Sequence, residues 1–311
     1  MKTLKTSRWF ITGKTDSIAR IASAGRRGVT LLFPDGATEK ARVSSNVFRV
    51  TGNPVCGDSV KVKKDRGAWY VEEVLKRKGT LERTSPLGKM QTLAANIDLV
   101  LVVASIASPP LRRGFIDRAL ASAEWSRLKA AIVFNKVDLK DQDDAADPEE
   151  LRRVYGETAG YRVIETSSKT GTGIDEFRKT IHGKTVVLAG ISAAGKTSLI
   201  KAVNPAIELR VGAVNVKTTK GRHTTVSARL IRLEEDTFLM DTPGLRAFSV
   251  DHIPTPELRF CFREFLDLPQ CRFRDCLHET EPECAVREAV EKGTIDRGRY
   301  QSYLKLLHEE N

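Results

Sequence analysis

One segment near the middle of the chain has the spacing of a phosphate-binding loop. Gly190-Ile-Ser-Ala-Ala-Gly195-Lys196-Thr197 follows a short apolar run and precedes a helical pattern. In that setting, backbone N–H groups and the start of the helix form a cradle for anions. The Lys196 ammonium would reach the β- and γ-phosphates of a nucleotide, and the Thr197 hydroxyl would bind Mg²⁺. The segment therefore predicts a nucleoside triphosphate site.

Two further segments would complete the phosphate site. Asp241-Thr-Pro-Gly244 follows another apolar run, where an aspartate is the usual second anchor for Mg²⁺ and the Gly244 N–H could meet the γ-phosphate. The polar segment 218–225 lies between the two motifs and can order around a γ-phosphate and Mg²⁺; a plain surface loop is the alternative. We expect Thr224 or the threonine after it to sense the metal, and His223 either to position water or to be structural.

Selection of the base would come from Asn135-Lys-Val-Asp138. A carboxylate at Asp138 can accept hydrogen bonds from the N1–H and 2-amino groups of guanine, whereas adenine offers no such pair of donors. Asn135 would fix the loop, and the aliphatic stem of Lys136 would cover the base. The segment 166–173 also follows a predicted strand and fits a loop whose backbone meets the guanine O6. The predicted ligand is therefore GTP.

The order of these motifs is unusual. In common GTPases the phosphate motifs precede the base motifs, whereas here the base motifs come first, as in a circularly permuted chain. Leu245 stands where many GTPases have a glutamine that orients water, so slow hydrolysis completed by a partner is expected. The catalytic candidates are Lys196, Thr197, His223 and Thr224, and the magnesium ligands are Thr197 and Asp241. The predicted GTP contacts are Asn135, Lys136, Asp138, Ser167, Ser168, Lys169, Gly190, Ile191, Ser192, Ala193, Ala194, Gly195, Lys196, Thr197, Ser198, Asp241 and Gly244.

A second kind of site is indicated near the C-terminus. Cys271, Cys276, His278 and Cys284 supply three thiolates and one imidazole, a closed ligand set suited to one structural Zn²⁺. Buried free thiols beside a surface histidine are the alternative. Cys56 and Cys261 lie outside this group of closely spaced ligands and are expected to be ordinary core or surface residues.

Three regions would position these residues. Residues 1–80 contain short β-rich runs, such as 28–33, 46–50 and 59–63, separated by turn residues, which favours a small five-stranded OB-type barrel. Residues 79–95 are polar and predict a linker. The stretch up to about 250 alternates apolar strands with helices, as in a doubly wound α/β sheet. From about residue 252 the pattern is mostly helical, so the predicted domains are 1–80, 81–250 and 251–311.

The distribution of charge points to an acidic partner. Residues 1–80 contain 17 Lys and Arg against 7 Asp and Glu, so they hold +10 of the formal net charge of +11. Nucleic acid is the favoured partner, and a membrane surface or a merely solvated basic face is the alternative. The longest apolar stretch, 97–107, is about half of what a membrane-spanning helix needs. We expect a cytoplasmic protein, monomeric by default.

Together, these motifs resemble those of the bacterial RsgA, or YjeQ, family of ribosome small-subunit-dependent GTPases. The resemblance rests on Gly57-Asp58, Asn135-Lys-Val-Asp138, Ser167-Ser-Lys169, Gly190 to Thr197, Gly221-Arg-His-Thr-Thr225, Asp241-Thr-Pro-Gly244 and the Cys₃His cluster. It implies an OB-fold, a permuted GTPase and a zinc-binding domain. It also implies a late role in maturation of the small ribosomal subunit, with GTPase activity stimulated by that subunit.

Some positions depart from the family pattern, and two other functions stay open. The family usually has Gly-Val in place of Ala193-Ala194 and serine in place of Thr197, and Val226 replaces a third threonine. One alternative function is a GTP-gated module that binds or places rRNA, with incidental hydrolysis. The other is a permuted GTPase of large-subunit assembly, which the basic barrel and the Cys₃His cluster disfavour.

Overall fold

The computed structural model describes residues 16–25, 28–84, 88–207, 228–241 and 248–309. The strands are β1 (Asp16–Gly25), β2 (Gly28–Leu32), β3 (Thr38–Val43), β4 (Ser59–Asp65), β5 (Ala68–Val74), β6 (Thr80–Thr84), β7 (Met90–Ala95), β8 (Leu99–Ser105), β9 (Ala130–Asn135), β10 (Arg162–Thr166), β11 (Thr185–Ala189), β12 (Arg229–Glu234) and β13 (Thr237–Asp241). The helices are α1 (Ser45–Thr51), α2 (Arg113–Trp125), α3 (Pro148–Leu151), α4 (Ile174–Ile181), α5 (Lys196–Val203), α6 (Arg263–Leu266), α7 (Ala285–Glu291) and α8 (Arg297–Leu307). Val137–Leu139 and Thr255–Cys261 form 3-10 turns, and Arg152–Thr158 forms a π-helical turn.

The first five strands form a closed barrel, as predicted. They pair in the order β1-β2-β3-β5-β4, and β1 also pairs with β4, which closes the barrel. Alternate strand residues fill its interior because successive side chains in a strand point to opposite faces. This barrel core contains Ala19, Ile21, Val29, Leu31, Ala41, Val47, Val60, Val62, Val71 and Val74.

The predicted strand at 46–50 is wrong, because this segment is helix α1 between β3 and β4. Its valines and phenylalanine favour a strand locally, but tertiary packing decides. Only Val47 of α1 is buried, whereas Phe48 is 47% exposed and Val50 is 73% exposed. The helix therefore uses one apolar side chain to cover the barrel core.

The predicted linker at 79–95 is also wrong, because β6 and β7 pair as an antiparallel hairpin. The strands have mixed polar and apolar side chains and few buried positions, so their composition does not reveal the backbone pairing. The hairpin lies against the barrel, where the Ala95 N–H donates to the Cys56 carbonyl at 3.0 Å. Gly57, at φ 89°, is required there, since a Cβ would lie 2.1 Å from the Ala95 carbonyl oxygen.

The central region is an α/β sheet with a parallel core, in agreement with the prediction. Strands β10-β9-β8-β11-β13 are parallel, and β12 runs antiparallel at their edge. Every residue of β8 and β9 is buried, because helices cover both faces. Helix α2 packs on one face, while α4 and α5 pack on the other. Strand β12 also pairs with β1, which joins this sheet to the barrel.

The C-terminal region is mainly helical and has its own apolar core. Phe262, Phe265 and Tyr303 lie at its centre, with ring centroids 5.1 to 5.2 Å apart. The core extends to Ala121 of α2, so the region rests on the outside of the central sheet's helix layer. Over the described ranges, the helices are too short or too polar to span a bilayer.

Candidate functional site

The predicted nucleotide residues follow strands that all end at the same edge of the central sheet. Strand β9 ends at Asn135, β10 at Thr166, β11 at Ala189 and β13 at Asp241. Because these strands are parallel, the loops that follow them lie together at the carboxyl edge, where ligands bind to open α/β sheets. Segments far apart in the sequence thus converge on one site.

Asn135 joins three of these loops. It is fully buried, and its Nδ2 donates to the Ala194 carbonyl oxygen at 3.0 Å. The Thr166 hydroxyl donates to Asn135 Oδ1 at 3.1 Å. Ala194 belongs to the phosphate loop and Thr166 precedes the second base loop. One amide therefore sets the spacing between the base segments and the phosphate segment.

The second base loop holds the carboxylate that was predicted to recognise guanine. The Ser167 hydroxyl donates to Asp138 Oδ1 at 2.5 Å, and Ser167 Oγ also accepts from the Thr170 N–H at 3.1 Å. Asp138 is only partly buried, so the rest of its carboxylate stays available to a ligand. Lys136, in the left-handed region at φ 66°, donates from its ammonium to the Ser108 carbonyl. Ser168 and Lys169 follow at the surface side of the loop.

The phosphate loop, residues 190–197, is packed tightly at two glycines. A Cβ on Gly190 would lie 2.5 Å from the Val103 carbonyl oxygen, and one on Gly195 would lie 2.1 Å from Asn135 Nδ2. Gly195 also has φ 92°, which glycine adopts without strain. The crest of the loop is open, since Ser192 and Ala193 are exposed. The two glycines of the loop are therefore tightly packed, while Ser192 and Ala193 between them are accessible to a ligand.

One ammonium and one carboxylate lie at the phosphate loop and interact with each other. Lys196 Nζ donates to the carbonyl oxygens of Gly190 at 2.5 Å and Ile191 at 2.8 Å. Burial lowers the pKa of Lys196, while Asp241 acts in the opposite direction. Desolvation raises the pKa of Asp241, and the charges of Arg229 and Lys196 oppose that shift. Thr197 and Ser198 follow Lys196 in the first turn of α5.

Not every predicted site residue can be placed. His223, Thr224, Gly244 and Leu245 lie outside the described residues. Conversely, sequence reasoning missed Thr166 as the partner of Asn135 and Ser108 as the partner of Lys136. The position of Thr166 at the end of a strand, beside Ser167, is the signal that could have found it. Nothing in the sequence near Ser108 indicates its role.

A second cluster brings together the four predicted metal ligands. The ligand atoms of Cys271, Cys276, His278 and Cys284 all lie within 4.8 Å of one another. His278 Nδ1 lies 3.6 Å from Cys271 Sγ and 3.4 Å from the sulfurs of Cys276 and Cys284. A tetrahedral zinc site, with Zn–S near 2.3 Å, places its ligand atoms about 3.5 to 3.8 Å apart. The spacing and the donor set therefore fit one Zn²⁺.

The backbone around this cluster is braced from two sides. The Glu281 carboxylate accepts the N–H groups of Leu277, Glu279 and Thr280 at 2.6 to 3.1 Å. Tyr300 and Tyr303 of α8 donate their hydroxyls to the His278 and Leu277 carbonyl oxygens at 2.7 and 2.6 Å. His278 itself is in the left-handed region at φ 61°. These contacts hold the strained loop in the conformation that brings the four candidate metal ligands together. Cys56 and Cys261 are buried core residues outside the cluster.

Comparisons with known proteins agree with this geometry. The family model described as RsgA GTPase matches residues 74–251, which is more than half of the chain. The small ribosomal subunit biogenesis GTPase RsgA of Thermotoga neapolitana is 39% identical over 254 residues, which cover 81% of this chain and 82% of that protein.

Two solved structures share the fold. The crystal structure of YjeQ from Thermotoga maritima has a TM-score of 0.79 and 34% identity, covering 94% of this chain and 98% of its own. The structure of YloQ, a circularly permuted GTPase, has a TM-score of 0.69 and 27% identity, covering 95% of both chains.

Proposed function

The chain belongs to the RsgA GTPase family, and we propose that it hydrolyses GTP to time a late step in the biogenesis of the small ribosomal subunit. The observation that carries the proposal is the Asn135 amide, which ties a guanine-type loop to a phosphate loop in a permuted chain. The relatives named for small-subunit biogenesis support the partner. Neither a placement module nor a large-subunit factor has comparable support.

Base selection would depend on Asp138 and its neighbours. The Asp138 carboxylate would accept two hydrogen bonds from guanine, and the hydroxyl of Ser167 orients it. The backbone of residues 167–169 would face the O6 atom. An adenine base would leave this charged acceptor unmatched, which is costly in a partly buried site.

Phosphate binding would use the loop from Gly190 to Ser198. Lys196 would exchange its two carbonyl partners for phosphate oxygens, and Thr197 and Asp241 would hold Mg²⁺. When bound, Mg²⁺ neutralises charge that develops on the β- and γ-phosphates during transfer to water. We propose that Gly244 and Thr224 complete the phosphate and Mg²⁺ site and that His223 orients the attacking water.

The identity of Leu245 supports a slow intrinsic reaction. An apolar side chain cannot orient water as glutamine does, so a partner would complete the site. His223→Ala should lower turnover stimulated by the small subunit at least tenfold, whereas His182→Ala, at an exposed position outside the site, should not. Unchanged stimulated turnover in His223→Ala would remove His223 from the mechanism.

The barrel is the proposed contact with ribosomal RNA. Its exposed basic residues include Lys40, Arg42, Lys63, Lys64 and Arg66. Aromatic rings lie beside them, since Lys64 Nζ is 5.4 Å from the Trp69 ring and Phe33 packs on Trp69 at 4.8 Å. Basic side chains and aromatic faces are the usual combination for binding RNA.

We propose that the Cys₃His cluster binds one structural Zn²⁺ through Cys271, Cys276, His278 and Cys284. Cys284→Ser should then lose stoichiometric zinc in metal analysis, whereas Cys261→Ser, at a buried cysteine outside the cluster, should retain it. Equal zinc contents would count against the site. The domain limits 1–80, 81–250 and 251–311 stay a proposal, supported by the separate cores of the barrel and the C-terminal region.

The proposed function is tested by the rate of GTP turnover, measured alone, with purified small subunits and with large subunits. We expect a slow basal rate that rises strongly only with small subunits and is lost when ATP replaces GTP. The stimulation should weaken as salt is raised, because contacts with RNA phosphates release counterions. Equal stimulation by large subunits would contradict the assigned partner.

A further inference from the structure

A buried cluster of charges joins the C-terminal region to the central sheet. Arg299 of α8 is 2% exposed, and its guanidinium donates to both carboxylate oxygens of Glu264 at 2.8 and 2.9 Å. A third bond reaches Asp117 Oδ1 at 2.7 Å. A buried ion cluster contributes little net stability, because desolvation offsets the attraction between the charges. Its position in the fold is therefore the informative feature.

The cluster holds both segments that flank strand β9. Asp117 lies in α2, which precedes β9 in the chain. The Tyr155 hydroxyl donates to the same Asp117 oxygen at 3.0 Å, and Tyr155 belongs to the π-helical turn that follows β9. The Arg299 guanidinium also lies 5.4 Å from the Tyr155 ring. One arginine thus fixes the two connections through which β9 enters and leaves the sheet.

Tyr155 transmits this position to the base loop. Its ring packs on Phe134 with 5.9 Å between ring centroids, and both side chains are fully buried. Phe134 immediately precedes Asn135, the residue that joins the base and phosphate loops. In a close-packed interior, a shift of one ring displaces its neighbour. Movement of Tyr155 would therefore move the start of the Asn135–Asp138 segment.

Helix α8 is also fastened to the candidate metal loop. Tyr300 and Tyr303 donate hydroxyls to carbonyl oxygens at His278 and Leu277. The helix that carries Arg299 is thereby fixed relative to the Cys₃His cluster. A continuous set of contacts runs from that cluster to the base loop, and each contact is buried or partly buried.

We propose that Arg299 is a positioning residue for guanine recognition, through which the C-terminal region supports base selection by Asp138. Its guanidinium contacts Glu264, Asp117 and the Tyr155 ring, and it acts by fixing Asp117 and Tyr155, whose ring packs on Phe134. The inference rests on the proposed guanine site. A merely structural arginine would lower stability and leave base selection unchanged.

The test compares dissociation constants for GTP and ITP. ITP lacks the 2-amino group, so the ratio of the two constants reports how well the Asp138 carboxylate is aligned. Tyr155→Phe removes one hydroxyl and keeps the ring, and Arg299→Lys keeps the charge but loses the forked geometry. Both should reduce the preference for GTP over ITP about threefold or more. Arg118→Gln is the matched control, because it breaks a partly exposed ion pair between α2 and Glu309 and leaves the Asp117–Tyr155 bond in place.

Thermal unfolding of each variant shows whether it is folded. If Arg299→Lys does not fold, the comparison is made with Tyr155→Phe alone. An unchanged GTP preference in folded Tyr155→Phe would overturn the proposal, as would an equal loss of preference in Arg118→Gln. Wild-type protein that fails to distinguish GTP from ITP and ATP would overturn the guanine site itself, and this inference with it.

Discussion

The base half and the phosphate half of the candidate site differ in how completely the protein alone builds them. Asn135 and Thr166 are fully buried and bonded to each other, and Ser167 already orients the Asp138 carboxylate. At the phosphate loop, the crest at Ser192 and Ala193 is exposed, and the Lys196 ammonium is bonded to the loop's own carbonyls.

The difference suggests a division of labour. Groups that keep their internal hydrogen bonds when the ligand binds can recognise it without reorganisation. The Lys196 ammonium, in contrast, must exchange its backbone carbonyl partners for phosphate oxygens. Selection of guanine should therefore be a property of the isolated protein. The rate of GTP turnover, in contrast, should depend on how the bound nucleotide and a partner rearrange the phosphate half. Base selection and catalysis should accordingly respond to different substitutions.

The largest expected effect lies in the base half. Asp138→Asn should weaken GTP binding about 10²- to 10³-fold, because a charged acceptor is lost and an amide N–H₂ group faces the 2-amino group of guanine. Binding of XTP should improve, since xanthine has a carbonyl where guanine has that amino group. Calorimetry with both nucleotides measures the change.

Asp141→Asn is the matched control, since Asp141 is exposed just beyond the base loop. Its affinity for GTP should stay at the wild-type value. If Asp138→Asn bound GTP as well as Asp141→Asn, the base half would not be where guanine is recognised.

An effect of similar size belongs to the phosphate half. Lys196→Met should lower kcat about 10²- to 10³-fold, because charge developing on the transferred phosphoryl group loses a fixed cation. Discrimination between GTP and ITP should change little, since Lys196 does not contact the base loop. Lys201→Met on the exposed side of α5 serves as the control and should be nearly neutral. Parallel losses of kcat and base discrimination in Lys196→Met would show that the halves are not separable.

Lys196 also predicts a dependence on pH. Burial lowers its pKa from the ordinary 10.5, so the unliganded side chain loses its proton at a lower pH than an exposed lysine. Phosphate binding favours the protonated form. GTP affinity should therefore fall as pH rises through the alkaline range, and Lys196→Met should flatten that dependence. A fall of equal steepness in Lys196→Met would assign the titration to another group.

The smallest effect sharpens the comparison at one residue of the phosphate loop. Ala193 has φ 62°, a left-handed conformation that costs an L-residue about 1 kcal/mol or more. Ala193→Gly should stabilise the nucleotide-free protein by about 0.5 to 1 kcal/mol, because relief of strain exceeds the added entropy of the unfolded chain. Denaturant unfolding measures it, with Ala206→Gly, outside the loop, as the control. A destabilised Ala193→Gly would mean that the loop carries no such strain.

How much of the fold and of the candidate site could be predicted from the sequence depends on how far apart in the chain the contacting residues lie. The phosphate loop is contiguous, so its spacing alone identifies it, and the buried strands β8 and β9 are apolar at nearly every position. The bond from Asn135 to Ala194 spans 59 residues, and the motifs predict the two segments but not the bond between them. Arg299 and Asp117 are 182 residues apart and belong to no motif, so their pairing is visible only in the structure.

Local preferences also misled where tertiary packing decides. The segment at 46–50 has the composition of a strand but forms α1, because the barrel needs one buried valine there. The hairpin β6–β7 has one mainly polar strand and one of mixed composition, and its pairing rests on backbone hydrogen bonds, so composition favours a linker. In both segments, backbone pairing or packing in the folded chain decides the structure, and residue composition does not show it.

The most direct test of the account is a steady-state titration of the protein with small ribosomal subunits, resolving kcat and KM for GTP. If the base half is complete and the partner completes the phosphate half, kcat should rise steeply while KM for GTP changes by no more than about threefold. A fall in KM at constant kcat would instead show that the partner strengthens nucleotide binding without completing the catalytic phosphate half, and it would contradict the account.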